Sequence, residues 1–187
     1  MEHKSEKIVY QGRMIEIIHE IVDFNGKEII LEHGRRAPGV RLIIKTPNGG
    51  FLISKEERYK LGLDYRLPGG KVFDSLTEYN EFLLKNNSEE LVVKAKEAAI
   101  KEAKEEVGIK PLEINLFLKS SCGGSFEWDL YYFIVEQYEE VGQNLEEGEE
   151  IEPAEVSAEE LKELALSGQM QEDRSVAVIL KYLHKNS

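Results

Sequence analysis

Cysteine is almost absent: Cys122 is the only one in 187 residues. No intramolecular disulfide can therefore form, and no cysteine pair has zinc-ligand spacing. A lone thiol fits a reducing compartment. Long apolar runs are also missing, since no segment approaches the roughly 20 residues that span a bilayer. The opening Met1-Glu-His-Lys-Ser-Glu-Lys lacks the basic-then-apolar pattern of an export signal. The expectation is a cytoplasmic protein with no membrane partner. Positive charge is in deficit, with 24 Lys and Arg against 36 Asp and Glu and a formal net charge of −12. Basic pairs such as Arg35-Arg36 are isolated, so nothing local offsets repulsion from nucleic acid or anionic lipid. The acidic stretch from Glu139 to Glu160 reads as solvated loop and helix face. What remains is 41% apolar and 32% charged without repeats, enough to build one core unaided.

The first half has the two-residue period of strands. Met14 to Phe24 alternates, Asn25-Gly26 turns tightly, and Lys27 to Leu31 continues as a hairpin. Val40 to Lys45 and Gly50 to Lys55 form a second pair around Pro47-Asn48-Gly49, and Leu67-Pro68-Gly69-Gly70 breaks the chain. The period then becomes helical. A short helix is expected from Ser75 to Leu84, and a longer one capped by Ser88 runs to Val107, where Gly108 and Pro111 stop it. Strands are expected at Leu112 to Lys119 and at Trp128 to Glu136. Helices follow from Ser157 to Gly168 and from an Asp173 cap to Leu183. This succession indicates an α+β protein with helices packed on a sheet. A hairpin region at residues 1–38 precedes a main domain at residues 39–187.

The stretch that carries chemistry is Lys101-Glu102-Ala103-Lys104-Glu105-Glu106-Val107-Gly108-Ile109. Residues four apart share a helix face, so Glu102 and Glu106 point the same way with Glu105 beside them. Like charges at that spacing cost roughly 0.2–0.5 kcal/mol in an isolated helix. A divalent cation would more than offset this cost. The Lys101–Glu105 and Glu97–Lys101 spacings also permit ordinary ion pairs on a solvated face, but a Gly-Gly turn able to approach phosphate lies just upstream.

These residues resemble the Nudix box, G-x5-E-x7-R-E-U-x-E-E-x-G-U, where U is bulky and apolar. Gly70 is similar to its opening glycine, and Lys101 to Ile109 to its closing nine positions, with Lys in place of Arg. The first glutamate's place falls at Leu76 counted from Gly70 but at Val93 counted back from Lys101, an insertion of 17 residues. Glu78, Glu89 or Glu90 from this insertion would substitute for the missing carboxylate. The resemblance extends over nearly the whole chain to the ADP-ribose and nucleotide-sugar pyrophosphatase branch, including Gly168-Gln-Met-Gln-Glu-Asp173-Arg-Ser-Val-Ala177. Arg66 departs from it, standing where that branch often has a glutamate before its Leu-Pro-x-Gly turn.

The resemblance implies a Nudix fold, a mixed β-sheet sandwiched between helices, with the antiparallel hairpin region as a dimerisation element. It implies hydrolysis of the pyrophosphate bond of a nucleoside diphosphate sugar such as ADP-ribose, giving a nucleoside monophosphate and a sugar phosphate. The metal ligands would be Glu102, Glu105, Glu106 and the Gly69 carbonyl, with magnesium, or alternatively manganese, as the ion. Glu127 or Glu105 would take the proton of the attacking water. Arg35, Arg36 and Arg41 are candidate diphosphate ligands, since guanidinium forks suit phosphate oxygens. Gly70, Gly123 and Gly124 would let backbone approach the substrate. Cys122 and the four scattered histidines read as bystanders, and Trp128 reads as core rather than a stacking surface. Two other readings stay open: a catalytically weak or inactive nucleotide-binding module, and a nucleoside triphosphate pyrophosphohydrolase.

Overall fold

The computed structural model describes residues 1–145 and 148–186. Three N-terminal strands, β1 (Glu2–Gln11), β2 (Glu16–Phe24) and β3 (Lys27–Arg35), form an antiparallel ribbon. The expected hairpin is β2–β3, turning at Asn25 and Gly26, both at positive φ. β1 was not anticipated. Its residues are exposed throughout and do not alternate cleanly, so its only structural cause is pairing with the open edge of β2.

The main sheet contains β4 (Gly39–Lys45), β5 (Phe51–Arg58), β6 (Gly62–Arg66), β7 (Ile109–Ser120), β9 (Leu130–Glu140) and β10 (Ile151–Val156). The two-residue strand β8 (Phe126–Glu127) instead joins the N-terminal ribbon, parallel to β3. The main order is β10-β5-β4-β9-β7, with β6 also on β5. β4 and β9 run parallel while their neighbours are antiparallel, so the sheet is mixed.

Four helices, α1 (Leu76–Leu83), α2 (Ser88–Val107), α3 (Ala158–Ser167) and α4 (Asp173–Lys185), complete the chain. Strand alternation decides what they cover. Val40, Leu42 and Ile44 of β4, with Tyr131, Phe133 and Val135 of β9, meet Ala95, Ala99, Ala103 and Val107 of α2. Those alanines recur every fourth residue, forming a smooth stripe that lets the helix lie close to the sheet. On the opposite face Ile43, Leu130 and Tyr132 pack with Leu161 and Ala165 of α3 and with Val178, Ile179 and Tyr182 of α4. The sheet is sandwiched between helices, as the resemblance implies.

Helix starts differ slightly from expectation. Asn87, not Ser88, caps α2: its side chain accepts from the Glu89 and Glu90 amides while Glu90 reaches back to the Asn87 amide. This reciprocal box satisfies more of the open amides than a serine one residue later would. Gly108 ends the helix at φ 68°. Glu172, not Asp173, occupies the cap position of α4 but makes no side-chain capping bond. Its carboxylate is engaged by Arg41 instead.

Candidate active site

The position of the glycine turn follows from β4. Only the end of β4 pairs with β5, at Ile44 and Lys45. Beside its first half runs the segment after Leu67: the Leu42 amide donates to the Pro68 carbonyl (2.8 Å), and the Val40 amide to the Gly70 carbonyl (2.9 Å). Gly69 lies between them at φ 144°, and a Cβ there would collide with the Val40 carbonyl. Only glycine tolerates both the conformation and the contact.

α2, resting on the same strand, delivers its carboxylates to this turn. The Gly69 amide donates to Glu106 Oε2 at 2.7 Å. One helical turn earlier, the Glu102 carboxylate fills the space where a Gly70 Cβ would stand. Two carboxylates four residues apart thus rest on two consecutive glycines. Glu105 lies 3.3 Å from Lys101 Nζ. Glu102, Glu105, Glu106, Gly69 and Gly70 all line one cavity of about 450 Å³.

Burial pushes the Glu106 carboxyl up to about 8; the Gly69 amide opposes this, Glu102 adds to it, and Arg41 opposes it. A carboxyl so placed holds its proton unless a cation is supplied, which makes the pair chemically suited to a divalent ion. Among the described residues no group of three or more acidic, histidine or cysteine side chains is placed to hold a metal ion. Magnesium does not require one, because it ordinarily uses one or two carboxylates together with waters and substrate oxygens. The residues present fit such an open site.

The cavity also holds cations outside the closing acidic stretch: Arg36, Arg58, Arg66, Lys71 and Lys94. The Arg36 guanidinium lies 4.6 Å from the centre of the Trp128 ring, and Arg174 lies 4.2 Å from it. Burial lowers the Arg36 pKa, and Arg41, Arg174 and Arg58 lower it further, with Glu172 only partly opposing them. Such a cluster of like charges favours a bound anion. Trp128 lines the cavity as well as touching the core, and its ring already carries two guanidinium groups. Arg66, the departure from the resembled branch, is 3.4 Å from Glu56 and 3.7 Å from Asp64.

Other sequence candidates lie elsewhere. Arg35 donates through Nε to Glu16 Oε1 at 2.6 Å, and Glu16 is fully buried and also bound by Asn80 of α1. Arg41 lines the cavity, but its guanidinium is bound to both oxygens of Glu172. Glu127 is absent from the cavity lining; it sits on β8, 3.2 Å from His33. Gly123 and Gly124 are in an exposed loop with open space around them, outside the cavity. In the inserted segment, Glu78 lines the cavity, whereas Glu90 is engaged in the α2 cap. The sequence pattern does not mark Glu56, Arg58, Trp128 or Glu172 as site residues. Glu172 had one visible signal, an acidic residue immediately before a helix on which the resemblance already rested.

The profile of the NUDIX domain matches residues 35–177. The chain belongs to the Nudix family. By family it is a Nudix pyrophosphohydrolase, acting on small nucleotide substrates of the kind these enzymes hydrolyse with divalent cations. A solved structure described as the crystal structure of ADP compounds hydrolase superposes on this Nudix chain with a TM-score of 0.72. The two are 16% identical, and the match covers 100% of this chain and 94% of that one, a likeness of fold. Among curated proteins no sequence relative matches. No helix among the described residues is long and apolar enough to cross a membrane.

Proposed function

We propose that this Nudix hydrolase cleaves the pyrophosphate bond of a nucleoside diphosphate sugar such as ADP-ribose, releasing a nucleoside monophosphate and a sugar phosphate. The observation that carries this reading is the seating of Glu102 and Glu106 on Gly70 and Gly69 inside a cavity that also presents Arg36, Lys71 and Lys94. Acidic groups for a cation and basic groups for phosphate oxygens share one chamber large enough for a small ligand. The fold likeness to a structure named for ADP compounds supports the substrate class.

Glu102 and Glu106, with the Gly69 carbonyl, would hold magnesium or manganese, with Glu105 beside them. That carbonyl accepts one bond from Arg41 and has a second lone pair to offer. When bound, the ion supplies charge neutralisation at the diphosphate and activation of water. The chain's own contribution is positioning and electrostatic stabilisation. Arg36, stacked on Trp128 among other arginines, receives phosphate oxygens. Glu105 lines the cavity while Glu127 faces His33, which favours Glu105 as the group that takes the proton of water.

The testing experiment is hydrolysis of ADP-ribose, GDP-mannose, UDP-glucose and dinucleotides, with and without magnesium, followed by product analysis. Release of pyrophosphate from nucleoside triphosphates alone would replace this reading with a triphosphate pyrophosphohydrolase. Arg36→Ala is expected to raise KM by about tenfold or more with a smaller change in kcat, because it removes a charged ligand of the ground state. An unchanged KM would remove Arg36 from the substrate site.

We also propose a homodimer formed through the N-terminal ribbon. Ile8, Val9, Tyr10, Phe24 and Ile30 are exposed on it. A ribbon with apolar side chains exposed on both sides gains stability by covering one of them. Sedimentation equilibrium at micromolar concentration is expected to give twice the chain mass, and a monomer there would refute the assignment.

A further inference from the structure

We infer that Arg41 and Glu172 are positioning residues that hold the Gly69 backbone in place for Glu106. The inference rests on the reading that this turn and α2 form the reaction centre.

Arg41 is 95% buried, and its hydrogen bonds can be traced donor by donor. Nε donates to one oxygen of Glu172 and NH2 to the other, each at 2.8 Å. NH1 donates to the Val40 carbonyl at 2.7 Å and to the Gly69 carbonyl at 3.2 Å. A guanidinium has five N–H groups, so Arg41 retains one for anything else. A substrate ligand would keep its fork open; this one is closed. Glu172 is fixed in turn, because the Ser175 hydroxyl on the first turn of α4 donates to it.

Gly69 is the common point. Its carbonyl is gripped by Arg41, and its amide grips Glu106 at 2.7 Å. Because its φ is 144° and the Val40 carbonyl occupies its Cβ position, the residue has no steric anchor of its own beyond this close fit. The Gly69 amide lies in the peptide whose Pro68 carbonyl accepts from Leu42, and Arg41 fixes the peptide that follows, so the relay Glu172–Arg41–Gly69–Glu106 acts on that amide through the Gly69 Cα. It joins the start of α4 to the end of α2, 66 residues apart in the chain and on opposite faces of the sheet. Lysine cannot replace Arg41, because an ammonium lacks the planar fork and has three donors for the four bonds that both Glu172 oxygens and the two carbonyls accept.

The test compares wild type, Glu172→Gln, Arg41→Lys and Thr46→Val. Thr46 is a control: it bonds Glu155 and the Gly50 amide away from the cavity, so losing its hydroxyl lowers stability alone. Three readouts are taken: amide hydrogen exchange of Gly69 in metal-free protein, Mn2+ affinity, and kcat and KM for ADP-ribose. In Glu172→Gln and Arg41→Lys, exchange at Gly69 is expected to quicken at least about tenfold, with Mn2+ binding weakened about tenfold. kcat should fall about 10- to 100-fold with KM within about threefold of wild type. Thr46→Val should melt earlier with all three readouts intact. Wild-type exchange and Mn2+ affinity in both site variants would overturn the inference. So would a raised KM with kcat unchanged, which would make Arg41 a substrate ligand. If the wild type neither hydrolyses the panel nor binds Mn2+, the functional reading fails, while the exchange rate at Gly69 still decides whether the relay exists.

Discussion

Glu106→Gln is expected to lower kcat on the order of 10³-fold while making the metal-free protein more heat-resistant at neutral pH. Both effects follow from one geometry. The carboxylate is buried against the Gly69 amide beside Glu102, and its pKa rises from 4.5 to about 8. Glutamine keeps an acceptor for that amide but carries no charge to offer a cation or to stabilise developing charge. The sign of the stability effect is fixed by linkage. A carboxyl whose folded pKa lies above its unfolded value stabilises the fold at pH below about 4.5, and that stabilisation is lost as pH rises through about 8. A displacement of this size corresponds to at most about 5 kcal/mol. In chelator at pH 8 the variant should melt higher by roughly 5–10 °C, and the gap should close as pH falls toward 4.5. Thermal melts of both proteins from pH 4.5 to 8.5, with and without magnesium, make the comparison. Equal melting temperatures across that range would contradict the burial of the carboxylate, and undiminished turnover would remove its assignment to the reaction.

Gly69→Ala is the second large effect, and Gly70→Ala separates its causes. At Gly69 the added Cβ meets the Val40 carbonyl, which is strand backbone and cannot move aside, and φ of 144° is unfavourable for any L side chain. Strain and displacement together should cost about 2–4 kcal/mol and abolish measurable hydrolysis, because the amide would leave Glu106. At Gly70 the nearest atoms to an added Cβ are those at the end of the Glu102 side chain, which can swing away. Gly70→Ala should therefore melt close to wild type yet lose most of its activity. Similar melting temperatures for the two variants would show that the Gly69 peptide is less tightly held than the structure indicates.

The parts of the site legible in the chain are those that local geometry dictates. Four-residue spacing on a helix is enough to align Glu102 with Glu106, and adjacent glycines mark a turn that permits close approach. The short apolar runs of β4 and β9, the α3 cap at Ser157 and its stop at Gly168 are readable for the same reason. Arg35 and Arg41 show where such reading ends. Both are arginines on strands near a suspected phosphate site, and nothing in their neighbours separates them from Arg36. Their partners do: a buried Glu16 for one and Glu172 for the other, 19 and 131 residues away in sequence. The strand β1 has the same lesson, since its exposed, mostly polar residues pair with the edge that β2 offers.

Sequence alone determined the Nudix family, the α+β class and the acidic face of α2, because each depends on residue type at short, regular intervals. Tertiary structure decided which charges face the cavity and which are spent holding it together. Burial and pairing between distant segments make that distinction, and they act through space, where the chain order carries no record of them.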